Sequence, residues 1–434
     1  MTMTYQTALS PENWPFNWEL LPSEACLVGG AVRDALINRQ SDYLDLDFVL
    51  PTKAVRTASK LARRYKAGFV VLDAQRQIAR VVFGNATVDF AQQDGDSIEA
   101  DLHRRDFTIN AIAFNPHTKE FIDPLQGILD CRKGIIRMVS PENLQNDPLR
   151  LLRGYRQAAQ LGFQIDPATQ SAIRKVAPLL SQIAAERVRT ELGYLLKSPQ
   201  GVPWLKAAWE DNVLRPWLAD ATAEGLEHMA AIDQSAVVLA ETWPKLGVEL
   251  NLKVTKHSLS LLNLAKLANL LSSIPAVAEQ QVLALKYSRV QTRIVVRAIQ
   301  HLPQLLSYTT ANEIPLRDQY FFFLNVGAVF PVVALLAVAR GMAVDTIAPL
   351  IEHYLNPNDQ VAHPTPLVTG KDLIKSLKLS PSSKIGELLT EIQIARIEGN
   401  IDSIKAALEF AAKLDSINCG SQDKEQITND IKSG

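Results

Sequence analysis

The feature that most limits the fold is the point at which β-branched alternation stops. Between residue 20 and about residue 140 the chain carries "DLDFVLP", "AGFVVLDA", "IARVVFGNATVDFA" and "FIDPLQ", runs rich in Val, Ile and Phe that read as strands. "SKLARRYKAG" between the first two reads as a helix. After Pro141 such runs cease. From Asp147 onward the periodicity is helical, beginning with "PLRLLRGYRQAAQLGF", where Leu149, Leu152, Tyr155 and Ala159 fall on one face. "PATQSAIRKVAPLLSQI" and "AAERVRTELGYLLKSP" continue it, and prolines at 199, 203, 216, 244, 275, 303 and 315 punctuate further helices. "TGKDLIKSLKLSPSSKIGELLTEIQIARIEGN" forms another helical unit, and the polar residues 421–434 read as frayed. An α+β chain is expected: a small mixed sheet with helices, then a long all-α remainder.

Composition narrows the setting. Apolar residues make up 47% and charged residues 21%, the balance of a soluble protein with sizeable cores. A formal net charge of −1 says nothing about a nucleic-acid partner, which must be read from local clusters. Cys26, Cys131 and Cys419 are far apart, with no CxxC, so neither a disulfide framework nor a cysteine zinc site is expected and a reducing cytoplasm fits. The N-terminus lacks the basic and apolar regions of a secretory signal. "YFFFLNVGAVFPVVALLAVA" (320–339) approaches a membrane span in length, but Pro331, Asn325 and Gly327 interrupt it, so a buried helix pair is expected.

The chemistry concentrates in "CLVGGAVRDALINRQSDYLDLDFVLP" (26–51). Successive strand side chains point to opposite faces, so Asp45 and Asp47 share one face and Leu44, Leu46 and Phe48 the other. Two carboxylates about 6–7 Å apart repel when both are ionised. Divalent cations relieve that repulsion, and Mg²⁺ prefers carboxylate and phosphate oxygens. Gly29-Gly30 precedes a helix-like "AVRDALI", offering backbone N–H groups to an anion, and Arg33 adds a charged fork beside Asp34. Asp89 in "ATVDFA" either faces the same pair or sits on an edge strand. In "DLHRRDFTINAIAF", Arg105 is placed to meet a triphosphate and Asp106 a ribose hydroxyl. Each of these alone also fits a solvated face or a plain glycine turn; their spacing along one chain favours a triphosphate–metal site.

"LVGGAVRD", "DLD", "RRDFTINAIAF", "DPLQGILDCRKGIIRMV", "NDPLRLLRGYRQAAQLGF" and "ERVRTELGYLL" occur in the order seen in class II tRNA nucleotidyltransferases, and the chain resembles that family of bacterial CCA-adding enzymes and poly(A) polymerases over about residues 25–197. "GKDLIKSL", "SSKIGELL" and "ARIEGN" resemble the tail of its CCA-type members. The resemblance implies a polymerase-β-like catalytic head (1–142), a helical neck that selects the base (143–197), a helical body (198–365) and a tRNA-binding tail (366–420). It implies Mg²⁺ on Asp45 and Asp47; Asp89 stands beside them as a third candidate catalytic acid. It implies nucleotide contacts from Gly30, Arg33 and Arg105; Gly29, Asp34, Asp106 and Asn110 are further candidate nucleotide-binding residues beside them. It implies that Asp147 and Arg150 read the base edge, with Arg153 and Arg156 adding contacts. Asp147, Arg150 and Arg153 repeat at i, i+3 spacing, and carboxylate and guanidinium together can imitate a complementary base. Asp147 before Pro148 also reads as a helix N-cap. Between Asp147 and Glu191 seven basic and four acidic residues suit a phosphate backbone.

The sequence departs from the pattern in places. Family members that complete CCA often carry a long basic loop between the strand of Asp89 and "RRD"; here Ala91–His103, thirteen residues with Asp94, Asp96, Glu99 and Asp101 and no Lys or Arg, fill that space. The loss resembles CC-adding specialists. The acid often found before Asp147 is Asn146. His228, His257 and His301 are isolated and read as structural histidines. The expected function is template-independent addition of C, A or both to the tRNA 3′ end from CTP and ATP, leaning towards CC. The alternatives are an A-adding or complete CCA enzyme, a poly(A) polymerase, and an inactive RNA-binding module.

Overall fold

The computed structural model describes residues 8–39, 43–253, 255, 258–308 and 314–416. Two compact units divide the chain. One runs up to Leu226 and takes in Leu283–Tyr287; the other holds the remainder.

The first unit is built on a seven-stranded sheet. Its strands are β1 (Cys26–Val28), β2 (Leu44–Leu50), β3 (Gly68–Asp73), β4 (Ile78–Val82), β5 (Ala86–Gln92), β6 (Ala113–Phe114) and β7 (Phe121–Ile122), in the order β3-β4-β5-β2-β1-β6-β7. Only β2 and β5 run parallel; the other neighbours are antiparallel. "IARVVFGNATVDFA" thus folds as two strands. On the apolar face Leu46, Phe48, Val88, Phe90, Ala79 and Val81 are all at most 1% exposed. They are in register across β2, β5 and β4, so one continuous apolar surface spans three strands. Helix α1 (Gly30–Leu36) follows β1. Helix α2 (Ala54–Tyr65) packs on β3, β4 and β5 through Ala58, Leu61 and Ala62. Trp14 and Phe16 close the same layer edge-on to Phe48, with ring centroids at 5.0 and 6.0 Å.

A short helix α3 (Ile98–Leu102) follows β5, and α4 (Gly127–Lys133) follows β7. A Cβ at Gly127 would lie 2.2 Å from the Thr108 carbonyl oxygen, so only glycine permits that approach. A two-stranded parallel pair, β8 (Ile135–Ile136) with β9 (Gln164–Ile165), leads into helices α5 (Pro141–Asn146), α6 (Leu149–Leu161), α7 (Pro167–Val176), α8 (Ala185–Lys197) and α9 (Gly201–Glu210). Asp211, 1% exposed, ties these helices together. It accepts from Tyr155 Oη at 2.5 Å, from Gln170 Nε2 at 2.7 Å, and from Arg174 Nε.

The second unit is helical. Helix α10 (Ala223–Thr242) crosses the division; α11 (Pro244–Asn251), α12 (Leu261–Ala268), α13 (Pro275–Ala284), α14 (Arg289–Ser307), α15 (Leu316–Val326), α16 (Phe330–Ala339) and α17 (Val344–Leu355) follow. The apolar run at 320–339 is a core helix pair, as its interruptions imply. α15 ends at Gly327, whose φ of +51° suits glycine, and α16 is buried from Phe330 to Ala337. By length and composition alone Leu316–Ala339 could cross a membrane, yet 67% of its most apolar window is buried inside the protein. Helices α18 (Gly370–Leu377) and α19 (Ser383–Ile397) pack around Leu373, Leu388, Ile392 and Ala407. Cys419, His257 and residues 421–434 lie outside the described residues; Cys26 and Cys131 are free, buried thiols.

Candidate active site

The sheet register assembles the acids. Val28 on β1 stands opposite Asp47 on β2, Asp47 opposite Asp89 on β5, and Asp89 opposite Arg80 on β4. The face opposite the apolar layer therefore carries Asp47, Asp89 and Arg80 in one row, with Asp45 two residues along β2. Burial pushes the Asp47 carboxyl up to about 6, and the charges of Asp45 and Asp89 add to the rise against the opposing Arg105 and Arg80. Burial and Asp89 likewise raise Asp45, against Arg80. Asp89 faces the pair, which settles its side of the sheet. Both its oxygens are held by Arg80, Nε at 2.7 Å and Nη2 at 2.8 Å.

No described residue donates a hydrogen bond to Asp45 or Asp47. Crowded, unpaired hard oxygens fit a divalent cation. No cluster of three or more His, Cys, Asp or Glu among the described residues makes a protein-only cage. The donor set therefore suits an ion that completes its shell with substrate phosphates and water, as Mg²⁺ sites commonly do.

Gly29 makes the turn beside this face. Its φ of +76° and ψ of −140° are open to glycine, and an added Cβ would stand 3.4 Å from Asp47 Oδ2 and 3.5 Å from Arg105 Nη1. Gly30 opens α1, and Arg33 one turn on is tied by Nε to Asp34 Oδ1 at 2.8 Å and by Nη1 to Asn110 Oδ1 at 2.6 Å. Asn110, 5% exposed, donates through Nδ2 to Asp106 Oδ1 at 2.9 Å and to Gln157 Oε1 at 3.0 Å. It thus links α1 to α6, with both its amide hydrogens donated inside the protein.

Asp106 is placed differently from the ribose contact expected of it. It is 4% exposed, accepts from Phe107 N–H at 2.8 Å, and pairs with Arg153 Nη2 at 3.1 Å. Burial works against the Asp106 carboxylate, but Arg153, Asn110, the Phe107 N–H and Arg150 outweigh it and hold its pKa below the usual range. Its geometry is that of an anchor for Arg153.

The remaining arginines follow one rule. Arg105 pairs with Asp101 at 3.0 Å, Arg156 with Glu191 at 2.6 Å, and Asp147 with Arg187 at 3.0 Å. Arg150 is the exception among the predicted set. Its Nη1 donates to the Asn143 carbonyl oxygen at 3.1 Å, and no carboxylate among the described residues lies within ion-pair distance. Asp147 also accepts from Leu149 N–H at 3.4 Å through its other oxygen, but α6 begins at Leu149 with Pro148 as its N-cap, so Asp147 sits one residue ahead of the cap expected of it. Asp147, Arg150, Arg187 and Asn143 line a cavity of about 1140 Å³ that reaches Gln77 and Asp94. Arg153 turns away from it towards Asp106, so the i, i+3 series splits between cavity and anchor.

Sequence reasoning missed Arg80, Asp101, Gln157, Arg187 and Asn143. Asn143 Nδ2 donates to the carbonyls of His103 and Arg105, both at 2.8 Å, pinning the "RRD" backbone. Gln157 continues Arg153 at i+4 on α6, a legible signal. Arg80 needed the strand register. Two of the four acids in the short segment after β5, Asp94 and Asp101, are not free loop charges either. Ser97 caps α3, Asp94 N–H donates to Asp101 Oδ1 at 3.0 Å, Asp94 accepts from Arg104, and Asp101 holds Arg105.

Three family models match the chain: a poly(A) polymerase head domain over residues 25–137, the RNA and SrmB-binding site of polymerase A over 162–224, and a tRNA nucleotidyltransferase domain 2 over 260–412. The chain is 47% identical to a CC-adding tRNA nucleotidyltransferase of Synechocystis sp., covering 92% of this chain and 96% of that one. It is 30% identical to a CC-adding enzyme of Geobacter sulfurreducens, with 90% and 91% covered, and 29% identical to an A-adding enzyme of Deinococcus radiodurans, with 90% and 96% covered. The Thermotoga maritima CCA-adding enzyme complexed with tRNA superposes with a TM-score of 0.68 at 21% identity, covering 90% of this chain and 91% of that one, which speaks for the fold alone. On the strength of the head motifs, the in-register acids and the near-full-length likeness to these relatives, the chain belongs to the family of tRNA nucleotidyltransferases and poly(A) polymerases and is a nucleotidyltransferase.

Proposed function

We propose that the chain adds the two cytidines of the CCA end to tRNA from CTP, without a template. The observation that carries the C-adding reading is the closed segment between β5 and Arg104. In place of a basic loop, Asp94 and Asp101 staple a short helix onto Arg104 and Arg105. A segment so pinned has no free length with which to remodel the base pocket once C has been added. The likeness to the Synechocystis CC-adding enzyme supports the same reading.

In this reading the head spans 1–142, the neck 143–197, the body 198–365 and the tail 366–420. The ion is Mg²⁺, held by Asp45 and Asp47, and when bound it supplies a Lewis acid for the primer hydroxyl and the departing pyrophosphate. Asp89 and Arg80 set the field around that pair. Gly29 and Gly30 let the backbone approach the triphosphate, and Arg33 and Arg105 neutralise its oxygens. Asp34, Asp106 and Asn110 position these arginines and Arg153. Asp147 accepts from the base edge and Arg150 donates to it, so cytosine is matched by side chains in place of a complementary base.

The test uses tRNA transcripts ending before the first C, after CC, and complete, each with one labelled nucleotide. C must enter the first, and A must not enter the second. A on the CC-ended tRNA makes this an A-adding or complete enzyme. ATP run into a homopolymer on generic RNA makes it a poly(A) polymerase. Binding without incorporation makes it an inactive module.

A further inference from the structure

The far side of the sheet carries a feature that nucleotide addition does not use. Lys53, Arg56, Lys60, Arg63, Arg64 and Lys66 lie on or beside α2, and all six are exposed. None makes a salt bridge or side-chain hydrogen bond to another described residue. No acid occurs between Asp47 and Asp73 to neutralise them. At 3.6 residues per turn, positions 53, 56, 60, 63 and 64 fall within an arc of about 100° and run along about 17 Å of axis. The opposite arc, Ala54, Ala58, Leu61 and Ala62, is buried on the sheet. The catalytic row occupies the other face of that sheet, so these cations cannot reach the same phosphates.

We infer that the outer face of α2 is a second RNA-binding surface, which takes the sugar–phosphate backbone of double-stranded RNA. This goes beyond the C-addition reading. A rigid row of cations fits a rigid polyanion; duplexes present about one charge per 1.7 Å of axis. Three of the six side chains are arginines, whose planar forks match phosphate oxygens. A protein partner would need an apolar centre, and the outer arc of α2 offers only cations, Thr57 and Ser59. A bilayer would need an apolar helix face to insert, and here that face is spent on the sheet. The apolar edge strand β3, with Phe69 at 38% and Val71 at 43% exposure, lies at the level of the sheet. A helix about 10 Å thick stands between it and any flat surface laid on the cations.

The test compares the full-length protein with an Arg56→Gln/Lys60→Gln/Arg63→Gln variant. The probe is a blunt RNA duplex with no unpaired 3′ end, and affinity is followed by fluorescence anisotropy across a KCl series. A lysine-for-arginine variant, Arg56→Lys/Arg63→Lys, controls for folding. Each phosphate contact contributes about 0.9 to the slope of log affinity against log salt. Loss of three contacts should flatten the slope by about 2 to 3, while the lysine variant keeps it. C incorporation into tRNA by the wild type is scored separately and decides the function proposed above. An unchanged slope in the triple variant overturns the inference, whether or not C is incorporated. Tighter binding to phosphatidylglycerol–phosphatidylcholine vesicles than to the duplex, lost in the triple variant, also overturns it.

Discussion

Substituting Asp47 by asparagine should make the metal-free protein more stable at neutral pH. Asp47 is buried against Asp45 and Asp89, and its carboxyl is pushed from 3.8 to about 6. A folded-state value above the unfolded one means that the native state holds a proton which the unfolded chain has released. Stability therefore falls as pH rises from about 4 to about 6, and stays lowered above that window. The displacement corresponds to about 3 kcal/mol at pH 8. The asparagine amide carries no charge at any of these pH values, so Asp47→Asn should recover up to that amount, a rise in melting temperature on the order of 6–12 °C for a unit of this size. At pH 4 the two proteins should melt together. A divalent ion neutralises the same repulsion, so added Mg²⁺ should raise the wild type by mass action and leave the variant nearly unmoved. Differential scanning calorimetry at pH 4, 6 and 8, with EDTA or MgCl₂, reads all of these. A variant no more stable than wild type at pH 8 in EDTA would refute the claim that the carboxylates strain the fold until a cation arrives.

Further expectations concern the neighbouring residues. Arg150→Ala should lower discrimination between CTP and UTP by about 10- to 150-fold, the worth of one charged base contact, with the KM for pyrophosphate in the reverse reaction unchanged; preserved discrimination would remove α6 from base choice. Asn110→Ala frees Arg33 and leaves the Gln157 oxygen unpaired, so it should destabilise by about 3 kcal/mol and raise the KM for CTP more than it lowers kcat; urea melts and initial rates decide. Asp211→Ala leaves the buried Tyr155 hydroxyl and the Gln170 amide without their acceptor, and should cost about 1–3 kcal/mol without changing base choice; a stability change under about 0.5 kcal/mol would contradict the structural role given to it.

The mixed sheet and the mainly helical remainder are legible in sequence because each rests on local periodicity; the two-residue strand β9, which pairs with β8, is too short to show in that periodicity and departs from the all-α expectation. Asp45 and Asp47 are legible too, needing only the alternation of one strand. The apolar run at 320–339 is legible as core for a similar reason: Gly327 and Pro331 break it into two short helices. What stays hidden depends on register between distant segments. Arg80 and Asp89 meet only because β4 and β5 pair with Val81 opposite Val88. Asp106 reads as an outward acid beside two arginines, yet it is buried and α6 delivers a half-buried Arg153 onto it. Asp101 reads as loop charge, though a single turn of helix carries it onto Arg105 at i+4.

The pairing of nearly every site arginine with an aspartate or glutamate bears on turnover. Without nucleotide these guanidinium groups are already oriented and already satisfied. On the function proposed above, an arriving triphosphate would have to displace internal anions in place of filling a vacant positive hole. Affinity would thereby be moderated, and the displaced acids would reclaim their arginines as pyrophosphate departs. Such a site would favour release after each addition, a useful property where one pocket must be emptied and refilled before the second nucleotide can join.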